Sequence, residues 1–116
     1  WFVGSPAIPK GWIERVFSSG FAFAFTPEGW KGNRKGHVPL FKHQKALIIS
    51  TTMFNEKAYQ GGLGDAMKRL IDGFGFRYSG IRNVEHVYFY SVAGVGAATR
   101  QNYLQQSYCL GRKFTQ

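Results

Sequence analysis

Two short apolar runs, each bordered by segments with helical periodicity, most constrain the fold of this 116-residue chain. Residues 45–52 read KALIISTT, and residues 84–92 read VEHVYFYSV, rich in β-branched and aromatic side chains. Such runs are typical of strands buried on both faces of a parallel sheet. Because two strands make a poor sheet, the pattern predicts further strands outside this segment.

Helical patterns alternate with these runs. Ser5 and Pro6 provide a cap and a first-turn proline for a helix over residues 6–18, in which Trp12 is expected to lie in the core. A second helix is predicted over residues 64–74, ending at Gly73 or Gly75, and a third over 97–114. The alternation predicts an α/β fold, with a parallel sheet and helices on both of its faces.

Residues 21–25 alternate Phe and Ala, which favours a short extended segment. The following residues 26–44 form a long excursion punctuated by glycine and proline, and loops of this length are commonly functional or interfacial. His37 and His43, within the excursion, are expected to be solvated. His86, within the second strand, is expected to be a packing residue rather than a catalytic one.

Composition limits the classes of function. The formal charge of +9 favours anionic partners, whether a nucleotide cofactor, nucleic acid or a membrane surface. No apolar run approaches the ~20 residues of a membrane helix, and no motif for specific nucleic-acid binding is recognised. Cys109 is the single cysteine, and no ligand spacing resembles a metal site, so the sequence predicts no metal and a cytoplasmic location.

Three segments are predicted to meet where the parallel strands end, the usual place for ligands in open α/β sheets. They are residues 1–5, 51–62 and 91–97, which are aromatic, hydroxyl-bearing or rich in glycine. Such an edge suits a flat, polarisable ring better than a metal or a charged substrate. Residues 94–99 come close to a dinucleotide-binding pattern but lack its third glycine, so they are interpreted as a tight turn.

The residues that carry these features resemble the flavodoxin-like NAD(P)H:quinone oxidoreductases. The most specific stretch is PAIPKGWIERVF at residues 6–17, and the similarity continues through 20–23, 45–52, Tyr59, 64–65 and 84–90. The resemblance implies a flavodoxin-like parallel sheet in the order 2-1-3-4-5. Residues 1–116 would then be the C-terminal portion of one domain, with the N-terminal, phosphate-binding half absent.

The resemblance also assigns the site. It places Trp1, Phe2 and Val3 against the flavin ring, and it places Thr51 and Thr52 at the pyrimidine edge of the ring. Tyr59 corresponds to a catalytic tyrosine that donates toward the flavin carbonyl near N1. Donors at that position stabilise the negative charge that arrives with hydride.

The same resemblance implies the function. The protein is expected to be a flavoenzyme that binds FAD or FMN, uses NAD(P)H as co-substrate and transfers two electrons to a quinone-type acceptor. A homodimer is implied, with the basic excursion 26–44 near the partner. The sequence departs from the family at Met53 and Phe54, where many members have two glycines, and at Leu63, where some have a histidine. A non-catalytic basic binding module and an inactive truncated remnant remain alternatives.

Overall fold

A computed structural model describes residues 4–116, so Trp1, Phe2 and Val3, three of the predicted flavin contacts, lie outside the described residues. The described chain divides into two compact units. The first comprises the residues up to 46 together with 67–84, and the second comprises 47–66 together with 85–116.

The first unit begins with helix α1 (Ala7–Val16), which confirms the helix predicted over 6–18. The cap differs from the prediction, because Pro6 is the N-cap residue and no side chain caps the helix. The prediction that Trp12 lies in the core was wrong: 55% of Trp12 is exposed. Its ring contacts Phe17 only edge-on, at 6.0 Å between centroids, because it lies on the more exposed side of α1.

The excursion 26–44 has regular structure of its own. Strand β1 (Phe23–Phe25) pairs antiparallel with strand β2 (His37–Pro39), and between them lie helix α2 (Pro27–Trp30) and a 3₁₀ turn (Arg34–Gly36). Gly29 and Gly36 cross closely here, since a Cβ on Gly29 would lie 2.6 Å from the Gly36 carbonyl oxygen. The backbone approach therefore requires glycine at this crossing.

His37 was expected to be solvated, and this prediction was wrong. Its ring stacks on Tyr78 at 3.5 Å between centroids, and Phe23 and Phe25 are also ring neighbours. Pairing of β2 with β1 brings His37 opposite Phe25, which turns the imidazole into this aromatic cluster. His43 is exposed, as predicted.

The predicted helix 64–74 continues beyond both glycines that were expected to end it. Helix α4 (Gly64–Lys68) runs directly into a π-helical segment (Arg69–Arg77). A π-helix bonds residue i to i+5, so apolar residues at three- and four-residue spacing no longer share one side. Accordingly Leu70 is 67% exposed, whereas Asp72 is buried.

The second unit contains most of strands β3 (Lys45–Thr51) and β4 (Asn83–Phe89), which are neighbours in one sheet, together with helices α3 (Glu56–Ala58) and α5 (Ala97–Phe114). The two strands are parallel. Just beyond β3, the Thr52 N–H donates to the Phe89 carbonyl, and the Thr52 carbonyl accepts from the Val92 N–H. Both predicted strands and the last helix are thus confirmed, although β4 ends at Phe89 rather than at residue 92.

Candidate functional site

The candidate site lies in the second unit, at the carboxyl ends of β3 and β4. Thr52, the first residue after β3, is buried there and is fixed on several sides. Besides its two backbone bonds to the β4 chain, its hydroxyl donates to the Phe54 carbonyl oxygen at 2.7 Å. The hydroxyl hydrogen is therefore engaged within the loop, and the oxygen is left as the group that can accept from a ligand.

Thr51 has a different environment from Thr52. It is the last residue of β3 and is exposed, whereas Thr52 is buried. The two neighbouring side chains of the predicted pair therefore differ in their exposure. Backbone hydrogen bonds join Thr52 to Phe89, at the end of β4, and to Val92 beyond it.

Tyr59 reaches the same edge from the segment that follows α3. Asn55 begins that helix by accepting the Ala58 N–H at 3.0 Å, and Tyr59 follows directly as the first residue of a short π-helical turn, Tyr59–Leu63. The half-buried Tyr59 ring lies 5.0 Å from the Tyr88 ring and 5.4 Å from the Tyr90 ring. Thr52 and Tyr59 thus both contact residues 88–90.

The loop after β4 completes this edge. Ser91 has a φ of 52°, the left-handed conformation, which is unusual for a residue other than glycine. Its N–H donates to the same Phe54 carbonyl that accepts the Thr52 hydroxyl. Arg100, in the first turns of α5, donates to the Val95 carbonyl at 2.6 Å, so the guanidinium fixes the loop from the helix side.

The surroundings of Tyr90 favour the neutral form of its phenol. The pKa of Tyr90 is raised above its ordinary value. The largest cause is burial, and the Glu56 carboxylate and Tyr59 make smaller contributions in the same direction. A phenol with a raised pKa retains its hydrogen through the neutral range and remains a hydrogen-bond donor. The site therefore offers hydroxyl groups and aromatic rings, which suits a planar neutral ring with carbonyl acceptors.

Three residues at or next to the site were not identified as site residues from the sequence. His86 and Tyr88 of β4 and Tyr90, the first residue after it, follow one another at every second position, and their rings stack in sequence, at 4.2 Å and then 6.0 Å. Ser50 of β3 contacts His86 Nε2 at 2.9 Å. The alternation H-x-Y-x-Y was the available signal, because a period of two places such side chains on one face of a strand.

Two kinds of site are not found in the part of the chain that the structure describes. No group of three or more histidine, cysteine, aspartate or glutamate side chains within residues 4–116 could hold a metal ion. Among the same residues, no helix has both the length and the apolar character needed to cross a membrane.

Comparison with known proteins identifies a matching family, similar sequences and a similar solved structure. A family model described as "Flavodoxin-like fold" matches residues 1–108. An uncharacterised NAD(P)H oxidoreductase of Haemophilus influenzae is 35% identical over 91 residues, covering 77% of this chain and 41% of that protein. NAD(P)H dehydrogenase [quinone] 1 of Cavia porcellus is 42% identical over 59 residues, covering 51% of this chain and 18% of that protein.

A solved structure shows the same fold. The NAD(P)H:quinone oxidoreductase from Methanothermobacter marburgensis superposes with a TM-score of 0.82 at 21% identity, covering 98% of this chain and 54% of that one. The chain thus spans less than half the length of the curated relatives it matches. The family match, the parallel strand pair and this superposition confirm the predicted α/β architecture. The chain belongs to the family with the flavodoxin-like fold.

Proposed function

We propose that this chain forms part of an NAD(P)H-dependent oxidoreductase that binds a flavin, FAD or FMN, at the edge formed by Thr52, Tyr59 and residues 88–91. Two electrons pass from NAD(P)H to a quinone-type acceptor. The observation that carries the proposal is the convergence of Tyr59 and Thr52 on residues 88–90 at the ends of two parallel strands. The names of the relatives support the reaction class.

The residues of this edge fit such a ring. When bound, a flavin accepts hydride from NAD(P)H and passes the electrons on. Tyr59 is the group that donates to a ring carbonyl, and the Thr52 oxygen accepts from a ring N–H. A hydrogen-bond donor that is already placed at a ring carbonyl stabilises negative charge that develops there. Trp1, Phe2 and Val3 are proposed to cover the ring, and Thr51 to contribute through its backbone.

The test is titration with FMN and FAD of the protein that contains this chain. We expect Tyr59→Phe to retain flavin but to slow its reduction by NADPH about tenfold or more, since one preorganised donor is lost. Tyr108→Phe is the matched control, because Tyr108 lies exposed on α5 and should change neither quantity. Failure of the unmodified protein to bind either flavin would overturn the proposal.

The proposed assembly is a homodimer in the cytoplasm, with the basic excursion 26–44 near the partner. The excursion is folded rather than loose, and the Arg34 guanidinium lies 5.2 Å from the centre of the Phe74 ring. Charge reversal at Lys31, Arg34 and Lys35 is expected to weaken dimerisation, measured by sedimentation. Unchanged dimerisation and unchanged NAD(P)H affinity in that variant would contradict this role for the excursion.

A further inference from the structure

The backbone around Tyr59 gives its side chain little support. Helix α3 is only three residues long, and the π-helical turn that starts at Tyr59 includes Gly62 at a φ of 111°. Short helices and glycines in the left-handed region leave a segment with few local restraints. The position of the Tyr59 hydroxyl therefore depends on what its ring packs against.

The flat support for that ring comes from Tyr88 at the end of β4 and Tyr90 directly after it. Tyr88 and Tyr90 stack with an interplanar angle of 20° at 6.0 Å, and Tyr59 leans across the pair, tilted by 48° to Tyr88 and 64° to Tyr90. Aromatic pairs at these distances contribute beyond the burial of their area. Of the two contacts, the one with Tyr88 is the shorter.

Tyr88 is itself held in place from the sheet. His86 stacks on it at 4.2 Å, with His86 Nδ1 lying 3.3 Å from the Tyr88 hydroxyl and His86 Nε2 lying 2.9 Å from Ser50 Oγ. Since both partners are hydroxyls that donate or accept, either tautomer of the imidazole satisfies both bonds. A series of contacts thus runs from Ser50 on β3 through His86 to Tyr88, the ring that supports Tyr59.

We infer that Tyr88 is a positioning residue: its ring, anchored by His86, sets the orientation of Tyr59 and thereby the direction of the Tyr59 hydroxyl toward the bound ring. The effect of Tyr88 on catalysis rests on the proposed function. The packing of Tyr59 on Tyr88 does not depend on that function. The Tyr88 ring is the active element, so Tyr88→Phe retains the role and Tyr88→Ala removes it.

The packing is tested without any ligand. The protein is labelled with 3-fluorotyrosine, and its Tyr59 resonance is assigned by its loss in Tyr59→Phe. We expect the Tyr59 signal to shift and broaden in Tyr88→Ala, and to stay near its original position in Tyr88→Phe and in the exposed control Tyr108→Ala. A Tyr59 signal unmoved in Tyr88→Ala overturns the inference. Should Tyr88→Ala not fold, Tyr88→Leu fills most of the volume without a flat ring and serves in its place.

The catalytic consequence is tested by a double-mutant cycle on the rate at which NADPH reduces FMN bound to the protein, in a single turnover. Tyr88→Ala is expected to lower the rate about tenfold when Tyr59 is present and less than twofold when Tyr59 is replaced by phenylalanine, because the hydroxyl to be positioned is then missing. Equal losses in both backgrounds overturn the positioning role. Absence of FMN binding defeats the proposed function instead, and the fluorine spectra still decide the packing.

Discussion

The aromatic cluster of the first unit and that of the second unit differ in chemistry. In the first, Phe17 contacts Phe41 and Phe76 edge-on at 5.4 Å and 5.2 Å, through hydrocarbon alone. In the second, the rings carry hydroxyl or imidazole groups, and several bond to one another or to the backbone. Rings without polar atoms stabilise the fold by packing alone, whereas rings with them also carry hydrogen-bonding groups.

The largest effect that this comparison predicts is on stability in the first unit. Phe17→Ala should lower the free energy of unfolding by about 3 kcal/mol. This value is at the lower end of the cost of replacing a core aromatic residue with alanine, because Phe17 is half-buried. Phe21→Ala is the control, since Phe21 is 62% exposed, and its loss should be about 1 kcal/mol or less. Urea unfolding measures both, and equal losses would mean that Phe17 is not central.

A smaller effect is expected at the strained position in the second unit. Ser91→Val should cost about 2 kcal/mol, because a β-branched residue is disfavoured in the left-handed conformation. Ser91→Gly should be at least as stable as the unmodified chain, since the relief of strain outweighs the added flexibility of glycine. Thermal unfolding compares the two, and a Gly variant less stable than the original would show that Ser91 is not strained.

A second group of rings in the first unit, formed by His37 with Phe23, Phe25 and Tyr78, gives an effect of opposite sign. His37 Nε2 is buried and has no hydrogen-bond partner among the described residues. Replacing it with an apolar ring of similar shape, His37→Phe, should raise stability by about 1 kcal/mol, because the cost of the unpaired nitrogen is removed. His43→Phe at an exposed position is the control and should be neutral. A destabilised His37→Phe would show that the imidazole is needed.

The smallest effect is a pH dependence in the second cluster. Because the pKa of Tyr90 is raised on folding, its contribution to stability is present below the ordinary tyrosine range near pH ~10 and declines as pH rises through the folded value. Unfolding measured from pH ~9 to ~11 should show a steeper loss of stability in the unmodified chain than in Tyr90→Phe. Parallel curves would mean that Tyr90 does not carry the dependence.

Much of the fold follows from the sequence by short-range rules. Both long strands and helices α1 and α5 lie where the sequence pattern predicts them, although Trp12 of α1 is exposed. The π-helical segment does not follow, because its i+5 bonding departs from the spacing on which helix prediction rests, and so the exposure of Leu70 and the burial of Asp72 are opposite to the pattern. The excursion 26–44 depends on a backbone crossing at Gly29, which no local pattern reports.

The candidate site divides in the same way. The position of the site at the strand ends follows from the topology. The choice of Thr51, Thr52 and Tyr59 as site residues came from the resemblance, and their roles remain predictions. Tyr88 and His86 could not be found by that route, since their importance comes from ring contacts with Tyr59 across distant parts of the chain. The positive φ of Ser91 likewise occurs in a loop whose hydrogen bonds reach Phe54, a distant part of the chain.

One carbonyl oxygen, that of Phe54, joins the two loops of this edge by accepting both the Thr52 hydroxyl and the Ser91 N–H. Every amino acid brings such an oxygen, so this junction places no demand on side-chain identity at position 54. An exchange of Met53 and Phe54 for the paired glycines of similar sequences would leave the junction chemically available. Side chains at this edge can therefore be substituted while the same main-chain oxygen keeps the two loops together.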